Sequence, residues 1–155
     1  LLRLVFTMNP AECLFCKIIK DEIPSKKVYE DNDCLAFLDI NPANRGHCLI
    51  IPKKHYENIY DIDDRALEKL IITAKNLSKL VKEKLECNGI NIVQNNERYA
   101  GQLVNHFHVH IIPRYEDDKV VITYQRVSLS DADFEDIKSK LTEVKKSPRD
   151  WDFNI

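Results

Sequence analysis

The sequence predicts an α+β fold: an antiparallel sheet of about five strands, one short N-terminal helix and one long helix, with the helices on one side of the sheet. Two observations carry this. The β-prone runs are short and are separated by tight turns or polar loops, and one long stretch of helical periodicity is inserted among them. The length, 155 residues, fits one domain better than two and closes a hydrophobic core without disulfides.

In chain order, residues 13–20 read as a short helix stopped before Pro24. Val28–Glu30 and Leu35–Asp39 are β-prone runs divided by the turn Asp31-Asn32-Asp33, and residues 41–46 form a loop. His47–Ile51 is a strand ended by Pro52. Asp63 is placed to cap a helix from Asp64 to Leu85, in which Leu67, Leu70, Ile71, Ala74, Leu77, Val81 and Leu85 recur at three- and four-residue steps. Asn88-Gly89 ends that helix. Ile90–Gln94 is a strand, Asn95–Gly101 a polar loop, and His106–Ile112 a strand ended by Pro113. Beyond it, Val120–Tyr124 reads as a strand and Asp131–Val144 as a helix.

Charge is nearly balanced, 23 basic against 25 acidic residues, a formal −2. That makes the chain a poor candidate for wrapping a nucleic acid polymer, which rests on a basic face, though a single nucleotide needs only a few local groups. No apolar run approaches the length of a membrane span, and the apolar start Leu1–Phe6 is too short and poorly flanked for a signal peptide. Leu1–Thr7, just before Met8, reads as an upstream extension. Five cysteines, an odd number, argue against a disulfide framework and for a reducing, cytoplasmic compartment. Cys34, Cys48 and Cys87 read as small buried residues.

Three of the five histidines stand at 106, 108 and 110, alternating with Phe107, Val109 and Ile111. On a strand this puts three imidazoles on one face, roughly 7 Å apart, and the apolar residues in the core. A single histidine there would read as a solvated strand residue. Three crowd like charges when protonated, which has an electrostatic cost. Two chemistries use such a row. One is a catalytic zinc on three imidazoles with water in the fourth position. The other is attack of a neutral imidazole on phosphorus, a neighbouring histidine stabilising the developing charge. The amide-rich segment Gln94–Gln102, with Gly101 allowing close backbone approach, favours phosphorus.

His106-Phe107-His108-Val109-His110-Ile111-Ile112 resembles the signature of the histidine-triad family, and the resemblance runs from residue 12 to about 115. Phe15, Lys17-Ile18-Ile19, Glu22-Ile23-Pro24, Leu35-Ala36-Phe37, Asp39-Ile40, Gly46-His47, Ile50 to His55, Ala100-Gly101-Gln102 and Ile112-Pro113-Arg114 look like the blocks of its Hint branch. Residues 1–11 and 116–155 are then extensions. The resemblance implies that His108 is the nucleophile, that His110 contacts the phosphate, and that His106 completes the triad. It puts Asn95 and Gln102, with Leu103 and Val104 after them, at the phosphate and leaving group. Asp39 falls on the ribose hydroxyls, and Phe15, Ile18, Ile23, Phe37 and Ile40 on the base. Leu103 departs from the Ser or Thr common there, so a hydroxyl near the leaving group is missing. The implied activity is hydrolysis or transfer of a purine nucleoside monophosphate group from phosphoramidates or dinucleoside polyphosphates, by a homodimer paired through its long helix and one strand. A zinc hydrolase and a nucleotide-binding interaction protein with little activity are the rivals.

Cys13 and Cys16 form a Cys-x-x-Cys pair, by itself redox-active, half a metal site or two buried thiols. Some family members hold zinc with such a pair and two histidines. The resemblance implies Cys13, Cys16, His47 and His106 as a closed, structural tetrahedral site that orients His106 beside the nucleophile; the chemical step itself needs no metal.

Overall fold

The computed structural model describes residues 11–121 and 126–142. The expectations for Leu1–Thr7 and for most of Val120–Tyr124 fall outside them. Helix α1 spans Leu14–Ile19, with Cys13 at its N-cap. Strands β1 (Lys27–Glu30) and β2 (Cys34–Leu38) are joined by a turn whose Asp31 carboxylate accepts from the backbone of Asp33 (2.8 Å) and Cys34 (2.6 Å). That local pairing is why aspartate suits the position. Strand β3 spans Cys48–Pro52, helix α2 Asp64–Leu85, strand β4 Gly89–Val93 and strand β5 Val109–Arg114. The sheet is antiparallel throughout, in the order β1-β2-β3-β5-β4.

Both faces of the sheet are covered, so the expectation of helices on one side is corrected. Cys34, Ala36, Cys48, Ile50, Phe107, Val109 and Ile111 pack with Leu70, Ala74, Leu77 and Val81 of α2. The alternate residues Leu35, Phe37, Leu49 and Ile51 pack with Cys13, Phe15, Cys16 and Ile18 at α1. The sign lies in β2 and β3 themselves. Their residues are apolar in unbroken runs, which is the mark of a strand buried on both sides.

Helix α2 starts where its cap predicts, the Asp63 carboxylate accepting from Ala66 N–H at 2.9 Å. Its end differs. Glu86, at φ 53°, takes the left-handed position, and Gly89 already belongs to β4. Lys82 secures this exit by donating to the carbonyls of Cys87 and Asn88.

Pro113 lies inside β5 instead of ending it, whereas Pro52 is the last residue of β3, which ends there as expected. The Pro113 carbonyl accepts from Asn44, on the side of β5 away from β4, and the β3 pairing stops at Ile111. Pro52 likewise points its carbonyl at His106, past the end of the β3–β5 ladder. N–H and C=O of a strand residue point the same way, so each missing N–H falls where no strand would use it.

Past β5 the chain stays attached to the sheet through Asp118, which pairs with Arg114 (2.8 Å) and accepts from Asn44, Tyr115 and Val120. The chain divides into two compact units after Val120. The second contains helix α3, Asp131–Thr142, capped by a reciprocal Ser130–Asp133 pair. Residues 143 and 144 of the expected helix fall outside the described residues.

Candidate active site and an adjacent donor cluster

The alternation expected of the histidine row holds, although strand pairing begins at Val109. Phe107, Val109 and Ile111 enter the core on the α2 side. His106, His108 and His110 face the α1 side, where the Phe15 ring lies 5.9 Å from His106 and 5.3 Å from His108, and His108 lies 5.0 Å from His110. His106 and His108 sit beyond the ladder, whose last pair is Ile50 with Val109. Both are nonetheless buried.

The hydrogen bonds fix the proton positions. His108 donates from Nδ1 to the carbonyl of His106 (2.6 Å), which leaves the Nε2 lone pair free. His106 donates from Nε2 to the carbonyl of Pro52 (2.9 Å), which leaves its Nδ1 lone pair free. Nδ1 of His110 lies 2.9 Å from Nε2 of His47. Burial pushes all four imidazoles toward the neutral form. His110 falls to about 4 through burial, then the neighbouring His108 and His47. His106 falls to about 4, mainly through burial, and His108 and His47 are lowered by burial too.

His108 and His110 line a cavity of about 350 Å³, within the range of small-molecule sites. Its far wall is the apolar slot expected for a base: Phe15, Ile18, Ile23 and Phe37, joined by Leu14 and Leu49. Ile40 and Leu103 stand at the rim, 88% and 91% exposed. Asp39, Gly101 and Val104 also line it. Gly101 is left-handed at φ 89°, and a Cβ there would approach the Asn95 amide at 3.8 Å, so Asn95 sits directly behind it.

Gln102 is placed differently from expectation. It is buried, its Nε2 donates to the carbonyls of Glu57 (2.6 Å) and Val104 (3.1 Å), and its Oε1 accepts from Glu97 N–H (2.7 Å). Both of its N–H donors and its carbonyl oxygen brace the loop that presents residues 101–104.

His47 is also placed away from the thiols. The donors brought together are Cys13, Cys16, His55 and His106. Nδ1 of His106 lies 3.5 Å from the Cys13 sulfur and 3.6 Å from that of Cys16, and Nδ1 of His55 lies 3.4 Å from Cys16. The reason is register. In the antiparallel β3–β5 ladder, Cys48 faces Ile111 and Ile50 faces Val109. Residues just before β3 therefore meet the end of β5, and those just past β3 meet the residues before β5. His47 lands on His110 and His55 on His106. The motif block through His55 contained this donor, and antiparallel counting favours it over His47. The same geometry removes the three-histidine zinc centre, because both ring nitrogens of His106 are directed away from His108 and His110.

The HIT domain family model matches residues 20–117. An uncharacterised HIT-like protein of Methanocaldococcus jannaschii is 54% identical over 121 residues, 78% of this chain and 93% of that one. An adenosine 5'-monophosphoramidase of Saccharomyces cerevisiae is 45% identical over 112 residues, 72% of this chain and 68% of that one. The crystal structure of a zinc-bound histidine triad family protein from Mycobacterium smegmatis superposes with a TM-score of 0.69 at 29% identity, covering 87% of this chain and 96% of that one. With the triad in place on the antiparallel sheet and the family model spanning most of the chain, this protein belongs to the HIT domain family.

Proposed function

We propose that the chain is a nucleotide hydrolase or transferase that attacks the α-phosphate of purine nucleotide conjugates through a nucleotidyl-histidine on His108. One observation carries the reading: the His108 Nδ1 proton is tied to a backbone carbonyl, so a neutral Nε2 lone pair stands at the wall of a nucleotide-sized cavity. In the first step Nε2 bonds to phosphorus, and the bond from phosphorus to the leaving group breaks, the leaving group departing with its electron pair and taking a proton from solvent. Water then bonds to phosphorus and gives up a proton to solvent, the P–N bond to His108 breaks with its electron pair returning to Nε2, and the nucleoside monophosphate leaves. His110 donates to a phosphoryl oxygen as charge develops, and the backbone of residues 101–104 lies beside it. Asp39 holds the ribose hydroxyls and the apolar slot the base.

Among the described residues lining the cavity there is no Lys or Arg, and the histidines are held neutral. A polyphosphate leaving group would bring several negative charges to a site without cationic partners. This favours phosphoramidates, whose leaving group is an amine, and agrees with the activity named for the yeast relative.

Cys13, Cys16, His55 and His106 are the residues that would hold zinc. With zinc–sulfur near 2.3 Å and zinc–nitrogen near 2.0 Å, tetrahedral ligands lie about 3.5 Å apart. The observed separations of 3.4 to 3.6 Å fit that edge. The ion would supply structure, fixing His106 and, through its carbonyl, the orientation of His108. A homodimer is favoured by β4, an edge strand carrying the half-exposed Ile92, and by exposed Ile71 and Ile72 on α2. Five buried free cysteines suit a reducing cytoplasm.

The test is His108→Ala with AMP-amine conjugates and dinucleoside polyphosphates. Single-turnover mixing of wild type should trap AMP on His108, and kcat/KM should favour the amine conjugates by at least about tenfold. The variant should bind AMP normally and lose turnover. Activity above a few per cent of wild type, about 2 kcal/mol of transition-state stabilisation, or AMP trapped elsewhere, rejects the nucleophile.

A further inference from the structure

We propose that His47 is a positioning residue that sets the tautomer and ring orientation of His110. This rests on the reading of His110 as the group that donates to the phosphate. The chain of donors begins in the loop before β3. The backbone N–H of Ala43 donates to Nδ1 of His47 at 3.0 Å. A neutral imidazole has one N–H, so the proton of His47 must sit on Nε2. Nε2 is 2.9 Å from Nδ1 of His110 and donates to it. His110 then has its own proton on Nε2, the nitrogen left free on a ring that lines the cavity. In the reverse arrangement both nitrogens of His47 would have to accept, which a neutral imidazole cannot do.

The loop holds His47 on both sides. Its N–H donates to the carbonyl of Asn44 (3.1 Å), and its carbonyl accepts from Asp39 N–H (3.0 Å). The ring is buried against His110, with centroids 5.1 Å apart. Asp39, His47 and His110 are also near enough to be considered as metal donors. However, Asp39 approaches Nδ1 of His47 at 3.7 Å while His110 meets Nε2, the opposite edge of the ring. The 2.9 Å separation is that of a hydrogen bond, shorter than the roughly 3.3 Å between two nitrogen ligands of a tetrahedral ion. His47 thus acts without touching substrate: it ensures that His110 presents N–H, and not a lone pair, to phosphoryl oxygen. With the other tautomer His110 would repel the charge it is placed to stabilise.

The experiment uses the full chain and two variants. His47→Ala removes the donor, and His47→Gln returns an amide N–H near the position of Nε2. Long-range proton–nitrogen correlation spectra, recorded without substrate, report which ring nitrogen of His110 is protonated. Wild type and His47→Gln should show the Nε2–H form, and His47→Ala should lose that preference. With an AMP-amine conjugate, kcat should fall on the order of a hundredfold in His47→Ala with a much smaller change in KM. His47→Gln should recover at least about tenfold of the loss, as expected of a restored orienting hydrogen bond. His110 protonated on Nδ1 in wild type overturns the proposal. So does a tautomer unchanged in His47→Ala, or a glutamine variant no more active than alanine. Should His47→Ala fail to fold, the wild-type and glutamine spectra decide. A wild type that turns over no conjugate rejects the enzymatic reading, while the tautomer measurement still decides the role of His47.

Discussion

At the scale of the residue, hydrogen bonds within the protein commit most of the site's polar side chains and leave few atoms open to the cavity. Gln102 is spent on the loop, His106 on Pro52 and the thiols, and His108 keeps one free nitrogen. Asp39 follows the same logic. Its Oδ1 accepts from Asn41 N–H at 2.8 Å, and it is the one carboxylate among the described residues lining the cavity. Its remaining lone pairs match the two donors of a ribose diol. Hydrogen bonds to a charged acceptor contribute about 1.5 to 3 kcal/mol, so wild type should bind AMP at least about tenfold more tightly than its 2′-deoxy analogue. In Asp39→Ala that discrimination should vanish. Calorimetry with both ligands checks this, and equal discrimination in the two proteins would take Asp39 out of the site.

At the scale of the element, α2 was legible to the residue, because helical periodicity and an aspartate cap both declare themselves locally. The first four strands were legible to within a residue for the same reason, whereas β5 begins three residues later than its pattern suggests. What local pattern could not show was pairing. The start of β5 depends on where its ladders with β3 and β4 stop, and the histidine that faces the thiols depends on an antiparallel count between strands more than fifty residues apart. Composition gave five histidines, and only the register divides them, His55 to the thiols and His47 to His110. The turn after β5 was equally hidden, since it rests on an Asp118–Arg114 pair on the outer side of the strand. That pair and the backbone N–H groups of Tyr115 and Val120 hold the Asp118 carboxyl well below the usual range. A depressed folded pKa contributes stability that is present above the unfolded value, about 3.9, and is lost as pH falls through the folded one. Asp118→Asn should therefore lower the melting temperature at pH 7, and the gap from wild type should narrow progressively below about pH 4. A gap that stays constant down to pH 2 would assign the effect to shape and not to charge.

At the scale of the whole molecule, the donor cluster joins parts of the chain that share no strand ladder. Cys13 and Cys16 come from the start of α1, His55 from the loop after β3 and His106 from the segment before β5. Burial and the neighbouring Cys13 push the Cys16 thiol up to about 11, so it stays protonated. A bound zinc would deprotonate both thiols and close loops of roughly forty and ninety residues at once, where chain entropy makes a cross-link effective. The expected content is about one zinc per chain in protein purified without chelators. Removing it should lower the melting temperature, as should Cys16→Ser, whereas His47→Ala should keep its zinc. Turnover should decline with the folded fraction and not in proportion to metal removed, because the ion reaches the nucleophile only through the His106 carbonyl. Elemental analysis alongside thermal melts and initial rates checks all three. Less than about a tenth of an equivalent would leave Cys13 and Cys16 as ordinary buried thiols, structural sites being far tighter than that. Activity that tracks the metal one for one at a temperature where the fold is intact would instead place the ion in the reaction.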